Sequence, residues 1–448
     1  MSFPRYPKYK DSGVEWLGQV PEHWEVKRLR FVAELNPSKS EVAHLGREIS
    51  VSFLPMEAIG DDGTFCLDKE KTIGELENGY TYFRDGDVAV AKITPCYENG
   101  KGALMRGLTN GIGFGTTELI VARPKAEEIT GSYLHYLFIS PDFRSIGASH
   151  MYGAGGQKRV PDDFVRNFPT AFPPLKEQTA IAAFLDRETA KIDELVAEQQ
   201  RLMDLLKEKR QAVISHAVTK GLNPNAAMKA SGIEWLGDVP EHWKVIALKR
   251  IATVQTGMAK GKDNGSRRTI TVPYLRVANV QDGYLDLETI ETMAIPAEDL
   301  GRYALRPGDV LMNEGGDFDK LGRGHVWGGQ IEPCITQNHV FAVRPRDVSP
   351  DWLNTVTGSN FAQFYFMTKS KQSTNLASIS STNLMELPVI LPPEAEQNTI
   401  LSFISDQTTR FDALIAEAKK AIDLLQERRT TLISAAVTGQ IDVRSIKN

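Results

Sequence analysis

Cysteine is scarce in this sequence: three residues among 448, Cys66, Cys96 and Cys334, lie far apart. They form no CxxC pair and no disulfide framework, so a reducing compartment, the cytoplasm, is expected. No run of roughly 18 apolar residues occurs, which argues against a membrane-spanning helix. The opening MSFPRYPKYKDSG lacks the apolar core of a secretory signal. An excess of positive charge is also missing: 52 Lys plus Arg stand against 57 Asp plus Glu, a formal net charge of -5. That excludes a polycation that coats nucleic acid indiscriminately, but not local basic patches. Hydrophobic residues at 41% and charged residues at 24% suffice for packed cores, which excludes global disorder. The length suggests about two to four domains.

Several catalytic signatures are missing too. A phosphate-binding loop needs GxxxxGK[ST]. GMAKGKD (257–263) and the turn at Gly100-Lys101-Gly102 lack that spacing. The Asn-Pro-Pro-aromatic tetrapeptide of amino-methyltransferases is absent, since Asn36-Pro37 continues Ser-Lys and Asn223-Pro224 continues Asn-Ala. GIGFG (111–115) has no helix to open and reads as a plain loop. Glu417-x-Lys419 falls on the charged face of a helical segment and reads as solvated. His23 and His242 both sit in a Pro-Glu-His-Trp motif with no second ligand at metal spacing. That motif reads as a structural corner, with Trp buried and Glu and His satisfying backbone groups. No catalytic residue, metal site or bound cofactor is assigned.

What is present is a repeat. SGVEWLGQVPEHWEV (12–26) and SGIEWLGDVPEHWKV (231–245) match at twelve of fifteen positions, 219 residues apart. Residues 173–222 and 392–441 match at 21 of 50 positions with the same offset. The chain is therefore a tandem duplication of a unit of 219 residues. Between the matched ends the copies diverge, with thin similarity in register: YFRDGDVAV (82–90) against YALRPGDVLM (303–312), TELIVARP (117–124) against NHVFAVRP (338–345).

Each copy ends in a long amphipathic helix. Ile181, Leu185, Ile192, Leu195, Leu202, Leu206 and Val213 recur at spacings of 3, 4 and 7. Ile400, Ile404, Phe411, Leu414, Leu425 and Leu432 form the second stripe. The remaining faces are charged, with eight basic and eight acidic residues over 173–222. Such a stripe needs a partner, and the second copy supplies one. Pro173-Pro174 and Pro392-Pro393 end the preceding strands. The diverged regions read as mixed α/β. Short apolar runs such as DVAVAKI (87–93), LIVAR (119–123), PYLRVANV (273–280), DVLMN (309–313) and HVFAVRP (339–345) alternate with Gly-rich turns, and helices are expected at 132–143 and 351–366. The expected architecture is two mixed α+β globular domains in pseudo-two-fold arrangement, joined by two long antiparallel coiled-coil helices. The expected division is a first domain over 1–172, a helix over 173–222, a second domain over 223–391, and a second helix and tail over 392–448.

The SGVEWLG-x-VPEHW opening, the PP-x-x-EQ junction and the helix ending in ISxAVT, all repeated, resemble the specificity subunit of Type I restriction-modification systems. The resemblance extends over essentially the whole chain. It implies that the diverged regions are target recognition domains, each reading one half of a bipartite double-stranded DNA target. It implies that the helix pair sets the gap and docks two modification (methyltransferase) subunits, and that two restriction (motor-nuclease) subunits complete the complex. S-adenosylmethionine, ATP and magnesium would then belong to those partners. The subunit itself would be noncatalytic. The alternatives are the recognition part of another multisubunit or fused restriction-modification enzyme, and an orphan DNA-binding scaffold.

Phosphate contacts need Lys and Arg, and base readout needs polar side chains on loops. In the first half, AKITPCYENGKG (91–102) offers Lys92, Thr94, Asn99 and Lys101, and GAGGQKRV (153–160) offers Gln157, Lys158 and Arg159. In the second half, GMAKGKDNGSRR (257–268) offers Lys260, Lys262, Arg267 and Arg268. NEGGDFDKLGRGH (313–325) offers Asn313, Lys320 and Arg323, and TKSKQSTN (368–375) offers Lys369, Lys371, Gln372 and Asn375.

Overall fold

The computed structural model describes residues 3–154, 156–261, 265–316, 321–372 and 377–446. The chain divides into two compact units: Met1–Gln200 with Lys420–Asn448, and Arg201–Lys419. Both division points fall inside the long helices.

In the first unit, β1 (Glu25–Arg28), β2 (Ala33–Leu35), β3 (Ser50–Leu54), β4 (Glu70–Thr72), β5 (Thr81–Arg84), β6 (Val88–Ala91), β7 (Gly102–Leu104), β8 (Ile112–Gly115), β9 (Leu119–Pro124) and β10 (Pro169–Phe172) make three sheets. Their orders are β4-β3-β8-β5, β2-β9-β6-β7 and β10-β1. Helices α1 (Gly131–Ile139) and α2 (Pro141–Ser149) follow β9, and α3 (Leu175–Lys220) closes the copy. All four residues of β6 and five of six in β9 are buried. A strand covered on both faces needs no polar alternation, and the sequences VAVA and LIVARP follow that rule. The single helix expected over 132–143 is two helices, because the Ser140 hydroxyl accepts from Phe143 N and Pro141 starts a new first turn. GIGFG is not a loop: β8 pairs parallel with β3 and antiparallel with β5. Gly113 and Gly115 are there for packing, since a Cβ on Gly113 would lie 2.2 Å from the Phe83 ring and one on Gly115 2.7 Å from Leu119, while Gly111 takes a φ of +69° just before the strand.

The second unit repeats the plan. Its strands are β11 (Lys244–Ala247), β12 (Ala252–Thr256), β13 (Thr269–Leu275), β14 (Glu291–Pro296), β15 (Val310–Asn313), β16 (Gly315–Gly316), β17 (Gly324–Val326), β18 (Ile335–Thr336) and β19 (Val340–Pro345). After α4 (Pro350–Thr357) and α5 (Asn360–Lys369) come β20 (Lys371–Gln372), β21 (Ala377–Ser378), β22 (Pro388–Leu391) and α6 (Glu394–Val437). Beyond the hairpin of Met228–Ala230 with Asp238–Pro240, the sheets are β12-β19-β15-β17, β14-β13-β18, β16-β21-β20 and β11-β22. The helix expected over 351–366 is also split, at Gly358-Ser359. The strand expected over 273–280 ends at Leu275. There the Asn279 side chain accepts from Arg276 N and donates to the carbonyls of Asp286 and Thr289, turning the chain.

The matched motifs are physical partners. In the first copy, Glu177 of the PP-x-x-EQ junction takes the Trp24 indole N–H at 3.0 Å and His23 Nε2 at 2.7 Å. In the second, Glu396 takes Trp243 at 3.0 Å and His242 at 2.7 Å. The histidines therefore meet a carboxylate rather than backbone groups, while Glu22 and Glu241 stay exposed. The neighbouring glutamines tie down the preceding prolines: Gln178 Nε2 donates to the Pro173 carbonyl and Gln397 Nε2 to that of Pro392. In the first unit the cluster is larger. The Tyr6 hydroxyl donates to Glu177 at 2.5 Å, Arg444 lies 4.8 Å over the Tyr6 ring, and Asp442 N bonds to the Pro4 carbonyl.

The helices run antiparallel within each unit. In the first, Asp193 of α3 pairs with Arg429 of α6 at 3.0 Å, and in the second, Arg210 of α3 pairs with Asp412 of α6 at 3.5 Å. Ile181, Leu185 and Leu432 enter the first core, and Ile400 and Ile404 the second. Ile192 and Phe411 are buried, and Leu206, Val213 and Leu425 are half-buried. Leu195, Leu202 and Leu414 are 49%, 43% and 52% exposed, so the stripe is not sealed along its whole length. Beyond the globular cores, helix-on-helix contact covers only a narrow seam.

Candidate nucleic-acid interface

In the first unit the two loops singled out in the sequence close on one another. Ile93 and Arg159 form an antiparallel bridge, and Thr94 N donates to the Lys158 carbonyl at 2.9 Å. The Thr94 hydroxyl donates to the Gly156 carbonyl at 2.7 Å and accepts from Lys158 N at 3.0 Å. Val160 N donates to the Lys92 carbonyl at 2.9 Å. Asn99, Gln157 and Lys158 are exposed, as is Tyr152. Lys101 is tied to the Met56 carbonyl at 3.2 Å. Arg159 is held by Glu118 through two bonds of 2.8 and 2.7 Å, and that guanidinium keeps the Glu118 carboxyl below the usual carboxylate range.

The second unit brings its loops together at the corresponding place. The segment after β15 and the segment after α5 meet as β16-β21-β20, with Gly315 opposite Ser378 and Lys371 opposite the same Ser378. The segment after β12 borders them. Met258 N donates to the Thr336 carbonyl, Asn338 N to that of Met258, and Glu314 N to that of His339. Arg268, Lys369 and Lys371 are exposed and Arg323 is half-buried. Asn313 is not a surface donor: it is buried, and its Nδ2 donates to the Val280 carbonyl at 2.8 Å. As the last residue of a fully buried strand, it points inward. Lys262, Lys320 and Asn375 lie outside the described residues, and Gln372 is described only as part of β20.

Two of the remaining cations are paired. Arg267 lies 3.7 Å from Glu298 and 3.6 Å from Asp299. Lys260 joins a cluster that sequence reasoning missed: Glu291 Oε2 accepts from Lys260 at 2.9 Å and from the Tyr274 hydroxyl at 2.5 Å, and its Oε1 accepts from Arg276 at 2.7 Å. The tyrosine hydroxyl, then the lysine, hold the Glu291 carboxyl down at about 2. Tyr274 and Arg276 stand two apart along β13 and its end, so their shared face was readable. The opposition of Tyr274 to Glu291 needs strand register, which periodicity does not supply.

Among the described residues no group of three His, Cys, Asp or Glu is arranged to hold a metal ion. No helix among them is long and apolar enough to cross a membrane.

A family model described as Type I restriction modification DNA specificity domain matches residues 240–424. The chain is 45% identical over 200 residues to the EcoEI specificity subunit of Escherichia coli, covering 44% of this chain and 33% of that one. The match thus spans about a third of that relative's length. Over 98% of both chains it is 22% identical to the MjaVIII specificity subunit of Methanocaldococcus jannaschii. A chain solved for a study of complex assembly in a type I restriction-modification system shares the fold, with a TM-score of 0.71 at 19% identity over 93% of this chain and 98% of that one. With its opening and junction motifs locked together in both copies, the chain carries over residues 240–424 a region that matches the Type I restriction modification DNA specificity domain.

Proposed function

We propose that this chain reads a bipartite double-stranded DNA target for a Type I complex, one half-site per unit. The observation that carries the reading is the same loop convergence in both units: the segment after the buried strand β6 or β15 meets the segment following the helix pair of that unit. Scaffolds repeat while the loops differ in sequence, as two readers of different half-sites require. Exposed Lys158, Arg268, Lys369 and Lys371 suit phosphate contacts, and Asn99 and Gln157 suit base edges. The helix pair, with its exposed leucines, would set the gap and dock two methyltransferase subunits. Two motor-nuclease subunits would join them. Chemistry would fall to those partners, which would carry S-adenosylmethionine, ATP and magnesium; this chain would bind no cofactor and catalyse nothing. The complex would act in the cytoplasm.

The test is genome-wide mapping of methylated adenines in cells with and without this gene. One split sequence should lose methylation on deletion. An unchanged methylation map would refute the proposal.

A further inference from the structure

Glu291 gathers three donors from separate parts of the chain. Tyr274 faces it directly across β13 and β14. Arg276 follows on the same side, and Lys260 arrives from the segment after β12, its ammonium 5.8 Å from the centre of the Tyr274 ring. The Arg276 Nε is enclosed and finds no acceptor among the described residues. An ammonium, a guanidinium and a hydroxyl converging on one point are the donors that phosphate oxygens attract. A phosphodiester sets its two charged oxygens farther apart than those of a carboxylate and adds two ester oxygens as weak acceptors, so the idle N–H of Arg276 is available to it. The Glu291 side chain is 38% exposed, so it can swing into water without opening a core.

We infer that Lys260, Tyr274 and Arg276 form a phosphate site that Glu291 fills while no DNA is bound, and that a backbone phosphate displaces Glu291 on binding. The DNA half of this inference rests on the recognition role proposed for the second unit. Glu118 covers Arg159 in the first unit in a similar way. An internal carboxylate that must be expelled weakens contact with any duplex whose bases do not also fit. It thereby favours the cognate sequence over bulk DNA.

The test uses the full chain, in complex with its methyltransferase partner, as wild type, E291Q and the control E288Q. The first readout is the melting midpoint in about 50 mM inorganic phosphate against chloride of equal ionic strength. Phosphate should raise the E291Q midpoint by about 2–4 °C and leave wild type and E288Q unmoved. Adding K260Q and R276Q to E291Q should abolish the response. The second readout is duplex affinity across salt: E291Q should bind non-target DNA more tightly, with a slope steeper by about one counterion. If phosphate leaves E291Q unmoved, there is no phosphate site and the inference fails. If phosphate acts but the salt slope does not change, displacement by DNA is overturned. Should the wild-type complex bind no duplex at all, the recognition role falls, and the phosphate response alone still decides the site. Should E291Q not fold, K260Q with R276Q in the wild-type chain must lower the salt slope by about two; an unchanged slope overturns the inference.

Discussion

Asp309 receives both Nε and Nη2 of Arg344, at 2.7 Å each, across the adjacent strands β15 and β19. Asp87 and Arg123 make the same two bonds at 2.8 Å across β6 and β9. The thin similarity between GDV…ARP and GDV…VRP is thus a fork-to-fork ion pair kept in both copies, buried in the first and partly exposed in the second. Asp87→Ala should leave the Arg123 guanidinium, 9% exposed, without its main partner, at a cost of about 3–5 kcal/mol. Glu41, 2.7 Å from Arg123, would soften that loss. Asp309→Ala should cost less, because the Arg344 side chain is 27% exposed. Denaturant titration of each variant gives the comparison.

Glu177 and Glu396 invite a paired substitution. Glu177→Gln disturbs three donors, Tyr6, His23 and Trp24, at a carboxylate 6% exposed. Glu396→Gln disturbs two donors at one 31% exposed. The first should cost about 2–3 kcal/mol and the second about 1. Equal losses would mean that the Tyr6 contact contributes nothing.

His135 on α1 sits where the second copy has Asn354 on α4. Burial, then the positive charges of Arg429 and Arg106, hold its imidazole down at about 4, with Asp62 acting the other way. The ordinary unfolded value is about 6.5, so between those values the unfolded chain binds more protons than the folded one. The contribution of neutral His135 is fully present above about pH 6.5 and is lost as pH falls towards 4. His135→Asn should flatten the stability of the first unit across that window. A midpoint-versus-pH series with an unchanged slope would remove His135 as the cause.

Gln157 and Lys158 are exposed beside Thr94, whereas Asn313 is enclosed. Replacing Gln157 and Lys158 by Ala should weaken duplex binding and lower the salt slope by about one, as one cation is removed. Asn313→Ala should instead strand the Val280 carbonyl, costing about 1–3 kcal/mol of stability with no change in salt slope. Fluorescence anisotropy with DNA and thermal melting separate the two effects.

The repeat, the long helices and the runs that become β6, β9, β15 and β19 were legible because each rests on local pattern: offset, heptad spacing or an apolar run. GIGFG was misread because Gly113 and Gly115 answer to the Phe83 ring on a neighbouring strand, a contact no local window contains. The loop candidates were found by composition, which cannot tell exposed Lys158 from paired Lys260 or enclosed Asn313. Glu118 and Glu291, the carboxylates that decide how free those cations are, come from strands and turns whose register the sequence leaves open.

The division of the chain has a consequence for its synthesis. The second unit is one unbroken stretch, Arg201–Lys419, while the first needs Lys420–Asn448 to complete a core containing Leu432, Ile433, Ala436, Val437 and Val443. Translation therefore delivers the whole second unit while the first still lacks its closing helix. The usual order, in which the N-terminal part matures first, is reversed here. The part of the first unit before Arg201 must wait, apolar surface uncovered, for the segment after Lys419.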